Sequence, residues 1–147
     1  MRLRTGLLAL GLLTMPVSML TALPAVAQQA AKPEVAWQSA ITSQIEAFRG
    51  ADGETALKFA GEGFRNEFTD PEEFLMAITQ MGYEPLVHSR SHSFGKFEQF
   101  DATHAMQVVN IVGPDQLLYE ALYQMMMEPE GWRVEAVSMK RADGLAV

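Results

Sequence analysis

The chain has 147 residues, with eleven Lys and Arg against eighteen Asp and Glu for a formal net charge of −7. An acidic balance without any basic run in the body of the chain makes it a poor partner for nucleic acid or an anionic membrane face. The absence of cysteine excludes disulfides, thiolate metal sites, a Cys nucleophile and attachment through a lipidated cysteine.

Arg2 and Arg4 precede an apolar run from Leu7 to Leu13, and the segment ends in Ala25-Val26-Ala27. This is the three-part plan of a secretory signal peptide, with small residues where a peptidase reads. Pro16, Ser18 and Pro24 interrupt the apolar stretch, which falls short of the roughly 18 residues of a membrane span. Cleavage between Ala27 and Gln28 is expected, giving a signal peptide over residues 1–27, a flexible arm over 28–34 and one domain over 35–147. Without Arg2 and Arg4 the exported body holds nine basic against eighteen acidic residues, a formal charge of −9. It is expected to keep no stable membrane anchor after cleavage and to lie in a periplasm or outside the cell.

Trp37, Ile41, Ile45 and Phe48 recur at helical spacing and predict a helix from Glu34 to Arg49, stopped by Gly50. Asp52 predicts the cap of a second short helix carrying Ala56, Leu57, Phe59 and Ala60, ended by Gly61 and Gly63. Asp70-Pro71-Glu72-Glu73 marks the clearest boundary, with a capping carboxylate, a proline at the first helical position and an acid three residues after the cap. The helix that follows is expected to bury Phe74, Leu75, Ile78 and Met81 and to stop at Gly82. Tyr83-Glu84-Pro85 then reads as an exit turn, because proline disfavours the helical region for the residue before it.

From Leu86 onward the period changes. VHSRSHSFGKFEQF and THAMQVVNIV predict a hairpin turning between Gln99 and Ala102, and GWRVEAVSMKR predicts a last strand with Trp132, Val134 and Ala136 opposite in face to Arg133 and Glu135. Residues 115–127, DQLLYEALYQMMM, fit a helical stripe slightly better than a strand with Leu117, Tyr119, Ala121, Tyr123 and Met125 on one side.

The stretch from Ile41 to Leu86, a strand carrying Ser93-Phe94-Gly95, and Tyr123 shortly before Gly131-Trp132-Arg133 together resemble the domain of unknown function 4864 family. Its members are short exported bacterial proteins without an assigned activity. The resemblance covers Ile41 to Met139 and is most specific at Gln44 to Arg49, Pro71 to Phe74, Gly82-Tyr83 with Pro85, and Gly131 to Arg133. It implies an α+β domain of the cystatin-like or nuclear transport factor two-like kind, helices first and a curved antiparallel sheet after. That fold puts Tyr123 on a strand and turns residues 115–127 from helix to strand. The family's usual Gly-Cys after the last Trp-Arg segment is replaced here by Glu135-Ala136.

The three histidines, His88, His92 and His104, invite a metal reading. A hairpin whose partners sum to about 200 sets Lys96 opposite His104, His92 opposite Val108 and His88 opposite Val112. Four strand residues span about 13 Å, too far for ligands that must lie within about 2.3 Å of one ion. No metal and no cofactor is expected. Met125-Met126-Met127 reads as core filling rather than a thioether copper site, since alternation splits the three. Glu72 and Glu73 complement a helix start, and Glu128 and Glu130 read as an exposed turn around Pro129. Gly61-Glu62-Gly63 reads as turn residues.

Two functional readings remain. The first is a small non-catalytic binding or interaction module of the cell envelope, with an unknown small ligand or envelope protein as partner and Tyr83, Arg90, Tyr119 and Tyr123 as candidate pocket residues. The alternative is a pocket enzyme of the isomerase or dehydratase type, with Tyr123 or Tyr119 as proton donor and Glu120 or His104 as base. Such a pair needs both groups on one face, and Glu120 alternates away from the tyrosines of its own strand.

Overall fold

Helices come first and the sheet after, the α+β order that the resemblance implies. The computed structural model describes residues 35–145. The expected signal segment, its cleavage point at Ala25, Ala27 and Gln28, and the arm over 28–34 lie outside the described residues.

Helix α1 (Gln38–Arg49) buries Ile41, Ile45 and Phe48, with Trp37 buried just ahead of it. Helix α2 (Gly53–Lys58) starts at Asp52, whose carboxylate accepts from the Thr55 N–H at 3.0 Å. A Cβ on Gly53 would stand 2.4 Å from the Pro71 carbonyl oxygen, so only glycine lets the α2 backbone lie against the next capped segment.

Helix α3 (Glu62–Glu67) was not expected, since Gly61-Glu62-Gly63 read as a turn. Gly61 caps it instead, and its N–H donates to the Val134 carbonyl at 2.8 Å. A tertiary bond to the last strand thus fixes a helix start too short to announce itself by period. Phe64 and Phe68 close on the Phe74 ring at centroid distances of 6.1 and 5.5 Å.

Helix α4 (Pro71–Ile78) begins on Asp70, whose Oδ1 accepts from the Glu72 N–H at 2.9 Å. Phe74 and Ile78 are buried, but Met81 is 64% exposed. Two helical stretches meet in a π-type turn over Thr79–Tyr83, across a kink at Gly82 with φ 97°, and Met81, just before the kink, is exposed instead of joining the buried stripe. The chain does not exit at Tyr83-Glu84-Pro85. Glu84 is helical at φ −50° and ψ −42°, and α5 (Glu84–Val87) follows. Pro85 stands in its first turn, where a missing N–H costs no intrahelical bond.

The sheet is antiparallel in the order β1 (Ser91–Gln99), β2 (His104–Val112), β3 (Leu117–Glu128), β4 (Gly131–Leu145). Residues 117–128 are therefore strand, with Ala121, Tyr123 and Met125 buried on its inner face. Ala105, Gln107, Val109 and Ile111 form the inner face of β2. The hairpin register differs from the expected one. His92 pairs with Ile111 and Phe97 with Gln107, because the turn lies further along and β1 slips a residue between Phe94 and Phe97. The Gln107 amide nitrogen donates to the Gly95 and Lys96 carbonyls inside that slip at 3.1 and 3.3 Å, which satisfies groups the ladder leaves unpaired.

A second slip, between Gln124 and Met125 against β4, breaks the expected alternation there. Trp132 and Val134 are buried, and so is Arg133, at 7% exposure. Ala60 bridges Val134 in parallel, which lays Phe59 over the Arg133 guanidinium at 5.4 Å. Glu128 is likewise not part of an exposed turn. Its carboxylate takes Arg65 Nη2 at 2.5 Å and the Glu62 N–H at 3.2 Å.

Candidate functional site

The inner face of the sheet and the helices form a partly open cavity of about 140 Å³. Gln44 and Phe48 reach it from α1, Ala60 and Phe64 from the segment through α3, Phe74 and Ile78 from α4, and Leu86 from α5. Val134, Ala136 and Val137 floor it from β4, and Met81 and Tyr83 come from the π-type turn. On either side of the kink at Gly82, exposed Met81 stands at the rim and the Tyr83 hydroxyl donates to the Val137 carbonyl of β4 at 2.7 Å. Among the described residues no charged side chain lines the cavity.

Of the residues expected in a pocket, only Tyr83 lies there. Arg90 is exposed, and its backbone N–H pairs with the Val112 carbonyl at 2.8 Å. Tyr119 donates to Asp115 at 2.7 Å across the β2–β3 turn, a bond that raises the tyrosine pKa and lowers that of the aspartate. Tyr123 is buried in the core, and its hydroxyl has no hydrogen-bond partner among the described residues. Burial pushes its pKa far up, with Arg49 opposing.

The structure does not bring the proposed acid and base together. His104 pairs with Met126 and Tyr123 with Gln107. Three residues separate each member from its counterpart on the same strand, so the two side chains occupy opposite faces of the sheet. His104 is exposed, and its Nδ1 lies 3.1 Å from Asp101. The backbone N–H of Thr103, with His104 and the Thr103 hydroxyl after it, holds Asp101 at about 2. These residues border an open groove of about 360 Å³ whose walls include exposed Phe100, Gln124 and Glu135. Glu120 pairs with Lys140 at 3.3 Å on the outer face.

His88 follows α5, His92 is the second residue of β1, and His104 opens β2 beyond the hairpin turn. Only His92 joins a polar cluster inside. Arg49 Nε donates to Ser89 Oγ at 2.9 Å, Arg49 Nη2 meets His92 Nδ1 at 2.9 Å, and Thr42 Oγ1 lies 3.3 Å from His92 Nε2.

Two interior amides went unsingled in the sequence although each left a signal. Gln44 sits three residues after Ile41 on the buried stripe of α1, and Gln107 sits between Ala105 and Val109 on the buried side of β2. A polar residue on an otherwise apolar face marks a position where burial has to be offset by hydrogen bonds. Gln107 takes Trp37 Nε1 at 3.0 Å, and Gln44 donates to the Ala56 carbonyl at 3.1 Å.

Against known proteins, the model of a family described as domain of unknown function (DUF4864) matches residues 29–147. Among solved structures, a crystal structure at 2.00 Å of a domain of unknown function with a cystatin-like fold, from Nostoc punctiforme PCC 73102, is similar to the chain with a TM-score of 0.52. The likeness covers 73% of this chain and 75% of that one at 15% identity, and it concerns the fold. No curated protein matches the chain.

Proposed function

The chain belongs to the domain of unknown function 4864 family, and from that premise we propose that it is a small non-catalytic binding module of the cell envelope that holds an apolar ligand between its helices and β4. One observation carries the reading: a cavity of about 140 Å³ walled by Phe48, Phe64, Phe74, Ile78 and Leu86, without a charged side chain. Apolar cavities of about 150 Å³ take up benzene-sized molecules, and this chamber matches them in volume. The ligand class is therefore a single ring or the end of a short acyl chain. The address rests on Arg2, Arg4, the apolar run after them and Ala25-Val26-Ala27.

The test is a thermal melt with benzene or toluene. Binding to the folded state at tenfold excess over Kd adds about 1.4 kcal/mol, a shift of several degrees for a domain of this size. Ala136→Phe, which fills the floor of the cavity, should remove the shift. A wild-type melt indifferent to both ligands overturns the reading.

A further inference from the structure

The cavity walls carry two polar side chains, Gln44 and Tyr83, and each already directs a donor at a backbone carbonyl. Tyr83 O–H donates to the Val137 carbonyl at 2.7 Å, and a phenol has no second hydrogen, so toward the cavity its oxygen only accepts. Gln44 Nε2 donates to the Ala56 carbonyl at 3.1 Å, and since that carbonyl can only accept, it fixes which end of the amide faces it. Gln44 Oε1 bonds nothing among the described residues, yet the one fully enclosed atom without a partner there is the Tyr123 hydroxyl. Oε1 therefore keeps contact with open space. Gln44 is only 3% exposed and lines the cavity, so the cavity is the space it meets.

We propose that this cavity selects a neutral, ring-sized ligand carrying one hydrogen-bond donor, a phenol or a small cyclic alcohol, with Gln44 Oε1 as the acceptor that reads it. The inference rests on the pocket reading above and deepens it. A purely apolar ligand seals Oε1 away from water with no partner, a cost that a hydroxyl removes. A carboxylate of the same size brings a charge into a chamber with no cation on its walls and lone pairs where a donor is needed, so it is refused.

Calorimetric or NMR titration of the whole domain with benzene, phenol and benzoate tests this, with Gln44→Met as the variant. The ratio of phenol to benzene affinity cancels the shared contribution of the ring within each protein. That ratio should fall about tenfold from wild type to Gln44→Met, while benzene affinity is retained, which also reports that the variant is folded. Wild type should show no benzoate binding. If Gln44→Met does not fold, Gln44→Leu takes its place in the same comparison, and the wild-type refusal of benzoate stands as a separate test. Benzene binding with an unchanged ratio, or with benzoate bound as well as phenol, overturns the donor selectivity and leaves the pocket standing. Failure of all three ligands to bind wild type overturns the pocket reading and this inference together.

Discussion

Arg49 Nη2 lies 2.9 Å from His92 Nδ1, and because a guanidinium offers hydrogens and no lone pair, the imidazole accepts there. Its proton then sits on Nε2, 3.3 Å from Thr42 Oγ1. Through Arg49 Nε and Ser89 Oγ the same clasp joins the end of α1 to the start of the sheet. Phe48, one residue before Arg49, and Leu86 of α5, three residues before Ser89, both line the cavity.

Stability should fall on mild acidification because of this clasp. Burial first, and the neighbouring Arg49 cation second, lower the His92 pKa below 6.5, with Glu46 opposing. The unfolded chain then binds a proton that the folded one refuses. The His92 contribution is complete above about 6.5 and is lost as pH falls through that value toward the folded pKa. Urea midpoints at about pH 8 and about pH 5 should drop in wild type and drop less in His92→Gln, whose amide oxygen still accepts from Arg49 without titrating. Equal drops in the two proteins would place the acid sensitivity elsewhere. Asp101, held at about 2, works in a separate window below its ordinary 3.8.

Trp132→Ala should cost about 3 to 5 kcal/mol, because removing a large buried ring leaves a cavity. The ring is 7% exposed and packs edge-on against Trp37 at 5.3 Å. Asp70→Ala should cost about 1 kcal/mol, the loss of one cap bond. Urea melts give the ordering, and a milder effect at Trp132 contradicts its place in the core.

Features decided within a few residues were legible in the sequence. Asp52 and Asp70 cap helices because an N-cap bond needs only the next two or three residues, and the α1 stripe is a matter of spacing. Features decided across the fold were not. The hairpin register depends on a slip in β1 that Gln107 stabilises from β2. Helix α3 starts where Gly61 meets Val134, and Arg133 is buried because Phe59 covers it. The cavity combines residues from six places in the chain, so among its walls the sequence marks only Tyr83 as a pocket residue, and Gln44 lies on a face that period marks as apolar. Tyr123 was placed on a strand by resemblance, against the local period.

The proposed export predicts that protein recovered from the periplasm begins at Gln28. Its intact mass should lack residues 1–27, and a full-length mass in the membrane fraction would contradict both the address and the charge of the exported body.

Methyl-resolved NMR during a benzene titration tests the cavity claim most directly. The account predicts saturable shifts at Ile78, Leu86, Val134 and Val137, with Met81 at the rim following, all of which line the chamber. Methyls on the outer face of the sheet, at Met106, Val108 and Leu122, should stay unmoved, and Ala136→Phe should abolish the response. Outer-face shifts with a silent interior, or no saturable shift at any of these methyls, would contradict it.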